Sequence, residues 1–154
     1  TLLTRPEEIY RALIEAVAFG TRLIIETFNQ HGVPIRELIA TGGLPDRNKL
    51  LMQIYSHVTG LPIFIPEATQ IGGLGSAMHG ALAAGSAAGG YDSIVEASAR
   101  MARLRNESYH PAAARKAIYD DLYAEYVKLH DYFGRGTNDV MKRLKTIKAE
   151  ALRA

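Results

Sequence analysis

Apolar side chains recur at helical spacing from Ile9 to Phe28, through Leu13, Ala16, Val17, Gly20, Leu23 and Ile24. The pattern predicts a helix from about Arg5 to Gln30. Thr4-Arg5-Pro6-Glu7 reads as its capping box, with Pro6 harmless in a first turn. His31-Gly32 ends it, Gly32 being suited to a left-handed cap. Gly20 inside the helix is expected to allow a tight contact with a sheet. A short apolar run, Glu37 to Ala40, predicts a buried parallel strand that stops at Gly42-Gly43. Leu50, Leu51, Ile54, Tyr55 and Val58 then form one face of a helix over Lys49–Val58, closed by Gly60. Leu61 to Ile65 predicts a second strand, broken by Pro66. Strand, helix and strand in this order predict a parallel pair with a crossover.

The pattern changes after the second strand. Thr69 to Ala84 reads as a helix rich in small residues, among them Gly72, Gly73, Gly75, Ala77 and Gly80. Each glycine costs a helix about 1 kcal/mol against alanine, so such a helix implies close approach by another element or a ligand. Gly85 to Gly90 reads as a flexible turn, and Ser93 to Leu104 as a further amphipathic helix. A long helix is predicted from Ala112 to Tyr132, with Ile118, Leu122, Tyr126, Leu129 and Phe133 as its stripe. A last helix starts near Asn138 and carries Lys142, Arg143, Lys145 and Lys148 on a solvated face.

Composition narrows the function classes. The 154 residues are about one domain's worth, and 47% are hydrophobic, enough for a core. A formal net charge of +2 gives no reason to expect a nucleic-acid partner. No cysteine is present, which excludes disulfides and thiolate metal sites. No apolar run is long enough to span a membrane as a helix. These features agree with a cytoplasmic protein. The chain begins at Thr1 and runs straight into a helix, and two strands make no stable sheet. A fragment of a longer chain is therefore expected.

Chemistry concentrates at the Gly42-Gly43 turn. The five histidines never pair at metal-ligand spacing. No nucleophile elbow and no Walker A sequence occurs. Asp120, Asp121 and Asp131 read as surface charge, and the many tyrosines as helix packing. A glycine turn after a strand lets a ligand approach the main chain. Asn48 adds a donor and an acceptor suited to an adenine or ribose edge. The residues alone thus support a nucleotide-binding half-domain. A helical interaction or assembly domain, in which the glycines serve packing, remains the alternative. A dinucleotide-binding oxidoreductase is excluded, because no GxGxxG follows the first strand.

The same stretches resemble a known family. Arg5 to Ala16, Ala18-Phe19-Gly20-Thr21-Arg22, Gly42-Gly43-Leu44-Pro45-Asp46-Arg47-Asn48 leading to Leu51-Met52-Gln53, and Gly75-Ser76-Ala77-Met78 are similar to the C-terminal domain of the FGGY carbohydrate kinases. Tyr123 to Tyr126 and Leu129 to Gly134 complete the likeness, which is strongest to members that phosphorylate ribulose. It implies an α/β fold, part of an actin-like ATPase (ribonuclease H-like) domain, helix-rich, with a C-terminal helical extension. Residues 1–90 would be the α/β part and 91–154 the extension. The implied activity is ATP-dependent phosphorylation of a ketopentose, L-ribulose to L-ribulose 5-phosphate, by the parent protein. The implied adenosine site is Gly42, Gly43, Arg47 and Asn48, with Gly75 packing close to the nucleotide. ATP and Mg2+ are the implied cofactors. Metal ligands, the catalytic aspartate and most pentulose contacts would lie upstream, leaving no catalytic residue here and an inactive fragment. Apolar surface left uncovered by truncation makes a homodimer a further expectation. Two departures stand out: Ser56-His57 replaces a common Ala-Asp, and Gly73-Leu74-Gly75-Ser76-Ala77 replaces a common Ala-Leu-Gly-Ala-Ala.

Overall fold

The computed structural model describes residues 1, 3–136 and 138–153. Its first helix, α1 (Pro6–Gln30), has Arg5 as N-cap. The expected box is displaced by one residue. The Arg5 N–H donates to Glu8 Oε2 at 2.8 Å, while Thr4 turns back to the Thr1 hydroxyl. Proline at the first helical position sets this frame, because its missing N–H needs no partner there. Gly32 takes φ +81° after the helix, the left-handed conformation foreseen for it.

Strand β1 (Leu38–Ile39) leads through Gly42 into a short helix, α2 (Gly43–Arg47), and then α3 (Lys49–Thr59). Gly60 caps α3 at φ +71°, and β2 (Ile63–Pro66) follows. The strands β1 and β2 are parallel, Leu38 facing Ile63 and Ile39 facing Phe64. Next come α4 (Ile71–Ala84), a 3-10 turn (Ser86–Ala88) and α5 (Ile94–Met101). The helix expected to reach Leu104 stops at Met101, and Leu104–Tyr109 is a third strand, β3. It pairs antiparallel with β2, Ile63 opposite Tyr109 and Phe64 opposite Ser108, so the order is β1-β2-β3. The long α6 (Ala113–Gly134) and α7 (Val140–Ala151) end the chain.

Helix α3 lies between two apolar clusters. On one side Ile54 and Val58 meet Ile14, Ala18 and Phe19 of α1 and Tyr119 and Tyr123 of α6. On the other, Met52 packs on Ile63 and Ile65 of β2 and Tyr109 of β3. Leu51 and Tyr55 touch both clusters. Gly20 faces the Tyr126 hydroxyl, so the close contact in α1 is with α6 rather than with the sheet. Helices α1 and α6 are further joined through Arg22, whose guanidinium binds Glu26 at 2.9 Å and Asp120 at 2.6 Å and lies 4.1 Å from the Tyr123 ring centre. Asp120 also holds Lys116 at 2.7 Å. The carboxylate read as surface charge is therefore part of a partly buried network. Burial and the hydrogen bond to Glu26 push the Tyr123 phenol well above its ordinary value.

Ser56 fastens α3 to the end of β3, and His57 fastens it to the start of α6. Ser56, fully buried, donates from its hydroxyl to the carbonyls of Leu61 and Tyr109 at 2.9 and 3.2 Å. His57 Nδ1 accepts the Ala112 N–H at 3.1 Å, and its Nε2 lies 3.1 Å from the Gln53 amide nitrogen. Burial, then repulsion by Arg115 and Arg11, holds His57 below its ordinary value. The unfolded chain binds this proton more readily than the fold. The bond's contribution is therefore complete above about pH 6.5 and is lost as pH falls through the lower folded value. His57→Gln offers a neutral acceptor that cannot titrate. Its melting temperature should drop less than that of the parent chain between pH 7.5 and pH 5, and an equal drop in both would contradict this account.

Candidate functional site

The candidate site begins where β1 ends. Gly42 has φ +89° and ψ −169°, a backbone that only glycine adopts without strain. Gly43 has no such requirement. A Cβ built on it would point into open space, with Arg47 Nε at 4.0 Å as its nearest neighbour. The two glycines therefore differ: the first turns the chain, and the second leaves a bare surface. Pro45, in the first turn of α2, is buried and seats this helix against the protein. Proline costs nothing there because that N–H has no helical acceptor. The turn read from sequence is thus a one-turn helix, too short for its dipole to hold an anion.

Asn48 separates α2 from α3 with φ −140° and ψ 83°. Its Oδ1 accepts the Leu51 N–H at 3.0 Å, capping α3, and its Nδ2 donates to the Tyr10 hydroxyl at 3.1 Å. One amide hydrogen remains for a ligand. Arg47 beside it is exposed and, among the described residues, pairs with no carboxylate. Gly75 lies apart from this pair. It lines an apolar cavity of about 190 Å³ with Ile39, Thr41, Leu74, Met78 and Leu104. Thr41 also borders the adjoining pocket of Gly42, Asp46 and Arg105, so it links Gly75 to the turn. Gly75 and Gly42 line two spaces that share Thr41 and Pro66, whereas Arg47 and Asn48 line neither.

Sequence reading missed the contribution of β3. Arg105 forms an ion pair with Asp46 of α2, and Glu107 binds Lys49 of α3 at 2.8 Å. The Tyr109 hydroxyl donates to Glu107 at 3.1 Å. The hydrogen bonds from Lys49 and Tyr109 hold the Glu107 carboxyl below its usual range. Asp46 and Lys49 were visible as charges next to the turn, but their partners are remote in sequence and carry no motif.

The fit of the implied cofactors follows from these contacts. A bare Gly43, an unpaired Arg47 and a free Asn48 amide hydrogen suit a neutral base or ribose edge. They offer nothing to Mg2+, because Asp46, the carboxylate at the turn, is engaged by Arg105. Among the described residues no cluster of three metal-ligating side chains occurs, and no helix is long and apolar enough to cross a membrane.

The FGGY family of carbohydrate kinases, C-terminal domain, matches residues 2–84, more than half of the chain. The chain belongs to the FGGY family. Among curated proteins, the ribulokinase of Geobacillus thermodenitrificans is 58% identical over 98% of this chain and 27% of its own length. The ribulokinase of Halalkalibacterium halodurans is 56% identical over 97% of this chain and 26% of its own. The chain thus spans about a quarter of the length of the curated relatives it matches. A solved xylulose kinase from Rhodospirillum rubrum superimposes with a TM-score of 0.68 at 25% identity, over 84% of this chain and 25% of that one. The fold is the actin-like ATPase fold of FGGY kinases, helix-rich around a small sheet, and the chain is a C-terminal domain of that family.

Proposed function

We propose that this chain is the nucleotide-side domain of a kinase that phosphorylates L-ribulose to L-ribulose 5-phosphate with ATP and Mg2+. The observation that carries the reading is the bare Gly43 beside Arg47 and Asn48, in a chain more than half identical to ribulokinases over nearly its whole length. Residues 1–90 hold the parallel strand pair; residues 91–154, expected as a purely helical extension, also supply the antiparallel edge strand β3 of the same sheet. ATP supplies the phosphoryl group; this chain's residues bind and orient its adenosine end. Gly43 gives a flat floor without a side chain. Arg47 and the free Asn48 amide hydrogen approach the base or ribose edge. Gly42 sets the direction of the floor, and Gly75 packs behind it across Thr41. Phosphoryl transfer also requires a metal and a base that accepts the sugar hydroxyl proton. In this reading both lie elsewhere in the parent, as do most sugar contacts. Such a kinase works in the cytoplasm.

Gly43→Ala in the parent kinase tests the adenosine floor. The fold loses nothing, since the added methyl meets only Arg47 Nε, at an ordinary contact of 4.0 Å, and a helical alanine is favoured by up to about 1 kcal/mol. The KM for ATP should rise at least about tenfold, the cost of roughly 1.4 kcal/mol of lost or strained contact, while the KM for ribulose stays constant. An unchanged ATP KM in a folded variant would return the glycines to a packing role. Asn48→Ala is the poorer probe, because it also removes a helix cap worth about 1 kcal/mol.

A further inference from the structure

The segment beyond the family match reaches back to the candidate nucleotide turn. Strand β3 starts at Leu104, twenty residues past the match that ends at 84. Arg105 and Glu107 lie two positions apart on it, so they share one face and stand roughly 6.5–7 Å apart. Their partners, Asp46 and Lys49, are the residues immediately before and after Arg47-Asn48. The two ion pairs have opposite polarity, so a two-residue slip of the strand sets one like-charged pair against each other, Arg105 facing Lys49 in one direction or Glu107 facing Asp46 in the other. We propose that the Arg105–Asp46 and Glu107–Lys49 pairs form a two-point clamp that positions Arg47 and Asn48 for adenosine. This inference rests on the adenosine reading above.

The clamp has a physical purpose. Helix α2 holds too few internal hydrogen bonds to fix its own direction, and the chain turns at Gly42 before it and at Asn48 after it. Asn48 is held by its bonds to Leu51 and Tyr10, whereas the turn at Gly42 is free to pivot unless something outside holds the helix. Pro45 anchors it by burial, Arg105 of β3 holds it through Asp46, and Glu107 holds Lys49 at the start of α3, just past Asn48. Arg105 has a second effect. An unpaired Asp46 carboxylate would face the polyanionic cofactor, and the guanidinium cancels that charge. The side chains of Arg105 and Asp46 are 29% and 41% exposed, against 71% for Lys49 and 39% for Glu107. The first pair is better shielded from solvent and should carry more of the effect.

The test uses the full-length parent kinase. Arg105→Gln should raise the ATP KM about three- to tenfold, with kcat at saturating ATP and the KM for ribulose unchanged. Glu107→Gln should do the same by a smaller factor. Arg105→Lys, and the exchange Asp46→Arg with Arg105→Asp, should each recover most of the loss. An Arg105→Gln enzyme with unaltered ATP KM, in a series where Gly43→Ala does raise it, overturns the clamp and leaves the adenosine site standing. If neither substitution moves the ATP KM, the adenosine reading itself fails. A lowered melting temperature without any KM change, or equal rises in both KM values, also overturns the clamp. Should Arg105→Gln fail to fold, the charge-exchanged pair decides: ATP KM near that of the parent supports the clamp, and a raised value refutes it.

Discussion

Phe19→Ala should lower the stability of the fold by about 3–5 kcal/mol, the usual loss for a buried aromatic cut back to alanine. Phe19 is 7% exposed and stands where α1 meets α6. Its ring centre is 6.1 Å from that of Tyr119, 5.9 Å from Tyr123 and 5.5 Å from Tyr126. Two of these tyrosines reach back to α1 through their hydroxyls, Tyr119 to Glu15 at 2.7 Å and Tyr123 to Glu26 at 2.9 Å. The cavity cannot close easily, because those hydroxyls would have to give up charged acceptors for the rings to move inward. Denaturant unfolding should show an earlier midpoint with little change in slope. Val17→Ala, on the exposed face of the same helix, should stay within about 0.5 kcal/mol. A loss below about 1 kcal/mol for Phe19→Ala would show that the aromatic cluster repacks freely.

Gly90→Ala should cost about 2–3 kcal/mol, as overpacking against a rigid neighbour does. A Cβ on Gly90 would run into the carbonyl oxygen of Ala81 and lie 3.0 Å from that of Gly85. Neither oxygen can step aside. The Ala81 carbonyl accepts the Tyr91 N–H at 3.0 Å, and the Gly85 carbonyl accepts the Gly90 N–H at 2.8 Å. The segment read from sequence as a flexible turn is therefore the tight closure of α4. Gly80→Ala makes the matching control. Nothing lies within 4 Å of its added Cβ, so within this chain the helix should gain up to about 1 kcal/mol. Thermal unfolding of the two variants should move in opposite directions, and parallel shifts would contradict this packing.

Functionally, both substitutions act at a distance from the turn. Phe19 supports α3, whose first residues follow Asn48, and Gly90 fixes the end of the helix that carries Gly75. Neither belongs to the adenosine floor. Their predicted effects separate the stability of the scaffold from the binding chemistry assigned to Gly43 and Arg47.

Much of the architecture was legible along the chain. Helix α1 has long, regular periodicity, and its end at Gly32 is written in local backbone chemistry. The same holds for α3 and its Gly60 cap. Both follow from interactions between residues close in sequence, which any reader of the pattern can sum. The candidate turn was legible for a similar reason, since a strand, two glycines and a helix are contiguous. The likeness to FGGY kinases rests on those same contiguous motifs.

Other features depended on residues far apart. Strand β3 reads Leu-Arg-Asn-Glu-Ser-Tyr, with apolar side chains only at its ends, and nothing local marks it as a strand. Pairing with β2 makes it one, because the backbone of that edge needs hydrogen-bond partners. Helix α2 contains glycine and proline among its five residues, a composition that argues against helix until Pro45 is buried. Asp120 was indistinguishable from surface charge until Arg22 of α1 met it. By itself, then, the sequence determined the longer helices, the parallel strand pair, the glycine turn and the family. Only the tertiary structure decided that β3 completes the sheet and that Asn48 spends most of its amide on Tyr10 and Leu51. It also set Arg105 and Glu107 against Asp46 and Lys49, the residues that flank Arg47-Asn48. The division has a plain cause: periodicity and capping are short-range and recorded in neighbouring residues, whereas ion pairs and strand partners form across the fold and exist only once the chain has closed.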